Sequence, residues 1–138
     1  MTKLREFKPE DYETIMTWMK TRSLAAFPQS YLPQKGWIVP DLASIHLMDT
    51  DTSVALIELF VSNPKASQEE KLKACDELIQ AAFAEAMNRK KQAVMGYTKI
   101  PKVMGLGMRY GFVYDPEPYY FFRKTLGENA NGHRRIGG

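Results

Sequence analysis

The chain has 138 residues, and its 44% of hydrophobic residues suffices to build the core of a single domain. A formal net charge of only +3 is too weak for a protein dedicated to nucleic acids or to a membrane surface. A single cysteine and two histidines predict no disulfide and no metal centre. The N-terminus is charged early and no apolar run approaches the ~20 residues of a membrane span, so we expect a cytoplasmic protein without a membrane segment.

The first part of the chain is predicted to contain a short strand and one helix. Residues 3–7 alternate apolar and charged side chains, as a strand does. A helix is predicted to begin next, because a proline suits its first turn and the two acidic residues that follow favour the positive end of its dipole. We expect this helix to end near Arg22. Residues 23–35 contain two prolines and no regular period. We expect an ordered loop there that carries Phe27 and Tyr31 toward a substrate cleft or over the core.

The middle of the chain is predicted to form three strands and a long helix. The strands cover residues 36–39, 43–48 and 53–61, and an Asp/Thr-rich turn makes the last two antiparallel. Glu58 is the only ionisable residue in the last of them, which is otherwise apolar, as in a central strand buried on both faces. The helix is predicted over residues 67–88, because an S-x-x-E capping box precedes a wide apolar face.

The last part of the chain is predicted to add a strand, a short helix and two closing strands. These elements cover residues 92–98, 101–110, 112–114 and 119–124, in that order. The sequence therefore predicts an α/β (α+β) domain over residues 1–126, with a mixed sheet of six to seven strands and about three helices. Residues 127–138 are predicted to be a polar, glycine-rich tail that buries little by itself.

Three local motifs occur in a consistent order along these elements. They are Phe7-Lys8-Pro9-Glu10-Asp11 where the first strand meets the first helix, the apolar residues 55–61 followed by Asn63-Pro64, and Tyr110-Gly111-Phe112 after the late helix. Together with the order of elements over residues 3–126, they resemble the GNAT superfamily of acetyl-coenzyme A-dependent N-acetyltransferases. The resemblance implies a single domain whose sheet is splayed between strands four and five, with acetyl-coenzyme A (acetyl-CoA) as the cofactor between them.

The resemblance also places a cofactor loop after strand four, where backbone N–H groups at a helix N-terminus would hold a pyrophosphate. The family's glycine-rich Arg/Gln-x-x-Gly-x-Gly/Ala pattern is absent, Pro64 lacks an N–H, and Glu69 and Glu70 oppose an anion. Lysine side chains could compensate; the alternative is an ordinary loop before a well-capped helix. The candidate cofactor-binding residues are Phe60, Val61, Lys65, Ser67, Lys71 and Lys73.

Acetyl transfer needs a base for the amine, an oxyanion site and an acid for the departing thiolate. The resemblance points to Glu58 as the base, and burial in an apolar strand would raise its pKa. The alternative is a structural ion pair between Glu58 and a neighbouring lysine or arginine. The tyrosine acid of the family would fall on Gly107, so Tyr110 and Tyr97 are the candidate acids, or else packing residues.

The sequence thus predicts an N-acetyltransferase that transfers an acetyl group from acetyl-CoA to an amine of a small molecule or protein, with no signature that identifies this acceptor. The alternative is a catalytically degenerate GNAT-like structural or host-interaction protein, because small divergent proteins with such an asparagine-proline loop resemble bacteriophage proteins, some of them virion components. Such a protein would occupy the host cytoplasm or the virion. The aromatic residues 119–122 are predicted to pack in the core and at a homo-oligomer or partner surface.

Overall fold

A computed structural model of the chain describes residues 3–98, 101–115, 120 and 122–127. The chain divides into two compact units, Met1–Tyr97 and Thr98–Gly138. The first unit holds a sheet and two helices, and the second holds a short helix. None of the helices in the described ranges combines the length and the apolar character needed to cross a lipid bilayer.

The sheet of the first unit has five strands, which lie side by side in sequence order. The first four are antiparallel to one another in succession, and the predicted antiparallel pairing of strands three and four is confirmed. The fifth is parallel to the fourth, because the chain crosses over through a helix before it returns to the sheet. The strands are β1 (Arg5–Glu6), β2 (Lys35–Val39), β3 (Ala43–Met48), β4 (Val54–Ser62) and β5 (Ala93–Met95).

Three α-helices are present in the described residues, as the sequence predicts. They are α1 (Tyr12–Thr21), α2 (Gln68–Asn88) and α3 (Pro101–Met108), and single 3-10 turns lie at Pro9–Asp11 and Gln29–Tyr31. The predicted capping box at the start of α2 is confirmed: the Glu70 N–H donates to Ser67 Oγ, and the Ser67 N–H donates to Glu70 Oε1, both over 3.1 Å. The helix therefore begins where its sequence satisfies the free backbone donors.

The two faces of the sheet are covered by different helices. α2 packs against β2, β3 and β4 on one face, and α1 packs on the other. The α1 face is identified by Ile38, which is buried with α1 and pairs with Ser44 of β3. Since side chains alternate along a strand, His46 shares this face with Ser44. The core on the α1 face consists of Ile15, Met16, Trp18, Met19, Ile38 and Val61.

The prediction of six to seven strands is wrong for the described residues, which form five. Residues 112–114, predicted as a strand, are irregular, and Val113 is 95% exposed. In the predicted strand 119–124, residues 120 and 122–124 are exposed and irregular, while residues 119 and 121 lie outside the described residues. An alternating apolar pattern shows that a segment suits burial, but a strand forms only where a neighbouring strand completes its hydrogen bonds.

Candidate functional site

β4 contains a bulge on the α1 side of the sheet. His46 pairs with Glu58 and Ser44 pairs with Val61, so β4 covers three residue steps where β3 covers two. Leu59, within the bulge, has a φ of +54°, a left-handed conformation that costs a non-glycine residue about 1–3 kcal/mol. A bulge interrupts the regular ladder and redirects the strand, so the second half of β4 has a different direction from the first.

β4 and β5 stay paired over only a short stretch. Their parallel pairing ends at Leu56 with Met95, and β4 then continues to Ser62 while β5 stops at Met95. This end of the pairing lies where the resemblance predicts the two strands to splay. Glu58 is two residues beyond the last pair on β4, and Tyr97 is two residues beyond it on the segment that follows β5.

Glu58 and Tyr97 are brought together at this point. The partly buried carboxylate of Glu58 accepts a hydrogen bond from the Tyr97 hydroxyl. Burial raises the pKa of Glu58, and the hydrogen bond from Tyr97 lowers it by a smaller amount. Desolvation and the negative charge of Glu58 raise the pKa of Tyr97, whose side chain is nevertheless 71% exposed. A carboxyl group with a raised pKa thus lies next to a tyrosine that reaches solvent.

His46 extends this row of polar side chains into the core and was not identified from the sequence as part of a site. It is directly opposite Glu58 on β3 and is 1% exposed. Its ring leans toward β2, where a Cβ at Gly36 would lie 2.5 Å from Cδ2, and it meets the Phe7 ring edge-on at 4.5 Å. Neither ring nitrogen has a hydrogen-bond partner among the described residues. Burial lowers the pKa of His46 to about 4, so the ring is neutral at pH 7.

The sequence pattern around His46 indicates the wrong environment for it. Ser44 and His46 occupy alternate positions of β3, and both are buried, at 0% and 1% exposure. Polar residues on one face of a strand ordinarily predict that this face is solvated. The prediction fails here because α1 and the segment around Phe7 cover the face, which only the tertiary structure shows.

The loop between β4 and α2 uses its backbone donors internally. The Lys65 N–H donates to Asn63 Oδ1 over 2.9 Å, and the Ala66 N–H donates to the Asn63 carbonyl over 3.1 Å. The next amide, at Ser67, is taken by Glu70 through the capping box. The Asn63 side chain also donates to the Asp41 carbonyl over 2.8 Å, which ties the loop to the β2–β3 turn. An anion could bind these amides only by displacing bonds that the chain already makes.

The other predicted cofactor residues lie in different surroundings. Val61 is buried in the α1 core, and Phe60 is partly buried beside the bulge. Lys65 is exposed, whereas Lys71 is partly buried in the first turn of α2. Lys73 is exposed and lines an open cleft of about 320 Å³ that also carries the carboxylates of Asp41, Glu70 and Glu77. The candidate acid Tyr110 belongs to the second unit, in the turn after α3, where its N–H donates to the Gly107 carbonyl over 2.9 Å.

Arg22 joins the end of α1 to the end of β4. Its guanidinium donates to the Ser62 carbonyl and, over 2.9 Å, to Ser62 Oγ. Burial lowers the pKa of Arg22 somewhat, yet an arginine remains charged at neutral pH. The start of the loop after α1 is therefore fixed beside the strand that carries Glu58.

Replacing Tyr97 with phenylalanine is expected to raise the pKa of Glu58. The Tyr97 hydrogen bond stabilises the charged carboxylate and so lowers its pKa, and its loss leaves the desolvation unopposed. Carbon-13 NMR titration of the Glu58 carboxyl would measure the shift. Tyr114→Phe, which removes a hydroxyl that donates to the Met104 carbonyl, is the matched control. A Glu58 pKa that stays constant or falls in Tyr97→Phe would show that the hydrogen bond does not act on the charged form.

Comparison with known proteins relates this chain to others by fold and not by sequence. No protein-family model matches it, and a search of curated proteins finds no match. Solved structures do match. An acetyltransferase from Trypanosoma brucei has a TM-score of 0.67 at 14% identity, covering 89% of this chain and 100% of its own. A GNAT family acetyltransferase from Streptococcus pneumoniae has a TM-score of 0.62 at 12% identity, covering 91% and 100%.

A third matching structure carries a different description. A transcriptional regulator from Bacillus halodurans has a TM-score of 0.69 at 14% identity, covering 89% of this chain and 100% of its own. At such identities, likeness extends to the fold alone. The chain therefore has a GNAT-like fold: a mixed sheet with helices on both faces, in which the fourth and fifth strands are parallel and paired from Val54 with Ala93 to Leu56 with Met95.

Proposed function

We propose that this protein is an N-acetyltransferase that uses acetyl-CoA and takes the proton of its amine acceptor on Glu58. The observation that carries the proposal is the position of Glu58. Its carboxylate lies beside a β4 bulge, just beyond the last β4–β5 pair, and it is hydrogen-bonded to Tyr97. The solved structures with the same fold include acetyltransferases, which is consistent with this chemistry.

Glu58 has the properties that a base for an amine needs. An alkylamine is protonated near neutral pH and becomes nucleophilic only after it loses a proton. A raised pKa lets the Glu58 carboxylate hold that proton better than an exposed glutamate would. The neutral Tyr97 hydroxyl stabilises the charge of Glu58 through one hydrogen bond. Because a carboxylate has further lone pairs, it can also accept an N–H of an incoming ammonium group.

The same region offers the remaining groups for acyl transfer. Acetyl-CoA, when bound, supplies the acetyl group as a thioester. The bulge at Leu59 frees backbone groups from the β3–β4 ladder, and a free N–H there would stabilise the negative oxygen that forms at the acetyl carbonyl. Tyr97 is the candidate donor of the proton for the departing sulfur, since its neutral hydroxyl lies next to Glu58.

The two ends of the cofactor fit this chain differently. At the acetyl end, the resemblance places the thioester beyond the last β4–β5 pair, which joins Leu56 and Met95, and next to Glu58. At the phosphate end, the loop amides are engaged by Asn63 and Glu70, so binding there would rest on lysine side chains. We therefore expect acetyl-CoA to bind through Lys65, Lys71 and Lys73 as point charges, with a strong dependence on ionic strength.

Calorimetric titration with acetyl-CoA tests the proposal. Binding should release measurable heat and raise the unfolding temperature at millimolar acetyl-CoA, and both effects should weaken in high salt. The second candidate function, a GNAT-like domain without catalysis, draws on the engaged loop amides. The absence of heat and of thermal stabilisation at millimolar acetyl-CoA would reject the enzyme in favour of that alternative.

A further inference from the structure

The segment between α1 and β2 carries no charge. Residues 23–34, called the neutral loop below, contain no aspartate, glutamate, lysine, arginine or histidine. In a chain with 25% charged residues, an exposed segment of this length without any charge is unusual in composition. Its exposed side chains include Leu24 at 43% and Tyr31 at 52%. The neutral loop therefore presents apolar and aromatic surface to solvent.

The neutral loop makes local contacts that position its two aromatic rings. Tyr12 of α1 donates its hydroxyl proton to the Phe27 carbonyl, and a 3-10 turn forms at Gln29–Tyr31. The rings of Phe27 and Tyr31 lie nearly parallel, 13° apart, with centroids 6.4 Å from each other. A pair of aromatic rings fixed in this way offers a preformed surface for another flat, apolar group.

The neutral loop lies on the Glu58 side of the sheet. Arg22, the residue directly before the neutral loop, bonds through its side chain to Ser62 at the end of β4. Phe27 packs against the same buried cluster as Leu59, the residue next to Glu58. Glu58 itself faces this side, because it is paired with His46 on the α1 face of β3.

The charges that flank the neutral loop already have partners within the chain. Arg22 binds Ser62, and Lys35 lies 2.6 Å from Glu6 and 3.9 Å from Glu85. The α1 side of the sheet carries the Asp11–Arg5 ion pair, with 2.8 Å between Asp11 Oδ2 and Arg5 Nη1, whose charges neutralise each other. It also carries Glu58, on the same side as the uncharged aromatic surface of the neutral loop. A molecule with one amine and an uncharged apolar body complements this arrangement, whereas a polycation or an acidic molecule finds no matching charge in the neutral loop.

We propose that the amine acceptor is an arylalkylamine-type molecule, with a single amine directed at Glu58 and a flat apolar body packed against the Phe27–Tyr31 pair. This inference rests on the proposed acetyl transfer and assigns its substrate class. Specificity would come from the fit of the body to the aromatic pair, and reactivity from the position of the amine at Glu58.

The test compares four acceptors with acetyl-CoA: phenethylamine, n-propylamine, spermidine and a lysine-containing peptide. We expect kcat/KM for phenethylamine to exceed that for each of the others by about 10-fold or more, the range that apolar contacts supply in a binding pocket. Tyr31→Ser should raise KM for phenethylamine by about 10-fold while kcat and the KM for n-propylamine stay unchanged. Gln29→Ser, an exposed change in the same loop, is the matched control and should alter neither constant.

Saturation-transfer NMR can detect the binding of phenethylamine in the absence of acetyl-CoA. This measurement separates the substrate class from the proposed function, because it does not depend on acetyl transfer. Spermidine or the peptide as the best acceptor, or phenethylamine binding that Tyr31→Ser leaves intact, would overturn the substrate class. No acetylation of any amine, together with Tyr31-dependent phenethylamine binding, would instead overturn the proposed function and retain an aromatic amine site. Preference for phenethylamine with Tyr31-dependent KM would support both.

Discussion

Replacing Glu58 with glutamine is expected to lower kcat for acetyl transfer by about 100-fold or more. A positioned general base contributes roughly 10²–10⁴-fold to a rate, and glutamine has nearly the same size but cannot accept the proton of the amine. The Tyr97 hydroxyl can still donate to the glutamine amide oxygen, so the local structure should persist. Acetyl-CoA affinity should be almost unchanged, because the cofactor contacts expected of this chain lie at the loop and the start of α2. Steady-state kinetics and calorimetry measure the two effects.

The matched control is Glu13→Gln, which removes the same charge from an exposed position of α1. It should leave kcat within about 2-fold of the unchanged protein, since surface substitutions away from a site have small effects. If Glu58→Gln retained full activity, Glu58 would not be the base, and its raised pKa would reflect burial alone. If both variants lost activity equally, a long-range charge effect would replace the proposed role.

A loss of stability between pH 6.5 and pH 4 is expected from His46. Its pKa is about 4 in the folded protein, because burial disfavours the charged ring, against about 6.5 for an exposed histidine. Below pH 6.5 the unfolded chain therefore binds a proton that the folded chain does not. The stability present above pH 6.5 is lost as the pH falls toward 4, by about 3 kcal/mol in all. Urea unfolding at a series of pH values measures it.

His46→Phe should abolish this pH dependence, because a phenyl ring keeps the edge-on contact with Phe7 and has no titratable nitrogen. His133→Gln, at the only other histidine, is the control and should leave it intact. Asp11 and Asp49 have lowered pKa values, through Arg5 and through Lys91, so their contributions are lost below about pH 3.8. A His46→Phe protein that still lost about 3 kcal/mol over this range would show that another group is responsible.

Local sequence patterns predicted the elements whose stability is local. The capping box and apolar face of α2 placed its beginning and end correctly, at Gln68 and Asn88, because both signals act within one helix. β3 and β4 were found for a similar reason, since the turn between them is held by its own side chains: the Thr50 N–H donates to Asp49 Oδ1 over 2.8 Å. Glu58 stood out as the one charge in an apolar strand.

Features that depend on distant contacts were not predictable. The prediction of two closing strands was wrong for the described residues, because an alternation of apolar and polar side chains does not supply the neighbouring strand that a strand needs. The β4 bulge leaves no mark in the sequence, since the left-handed residue is Leu59 and not a glycine. The bond between Glu58 and Tyr97, and the pairing of Glu58 with His46, each join residues that are distant in the sequence. The sequence supplied candidates for the site, but the sheet determines which of them meet.

The β4 bulge also has a consequence for changes in chain length. A single-residue insertion in a regular strand turns every later side chain to the opposite face. Here the extra residue is absorbed between Glu58 and Val61, so both still face α1 and pair with alternate residues of β3. β4 therefore consists of two regular halves joined by the bulge, which contains one extra residue. A change of one residue in length that is absorbed at the bulge therefore leaves Glu58 and Val61 on the same face of the sheet.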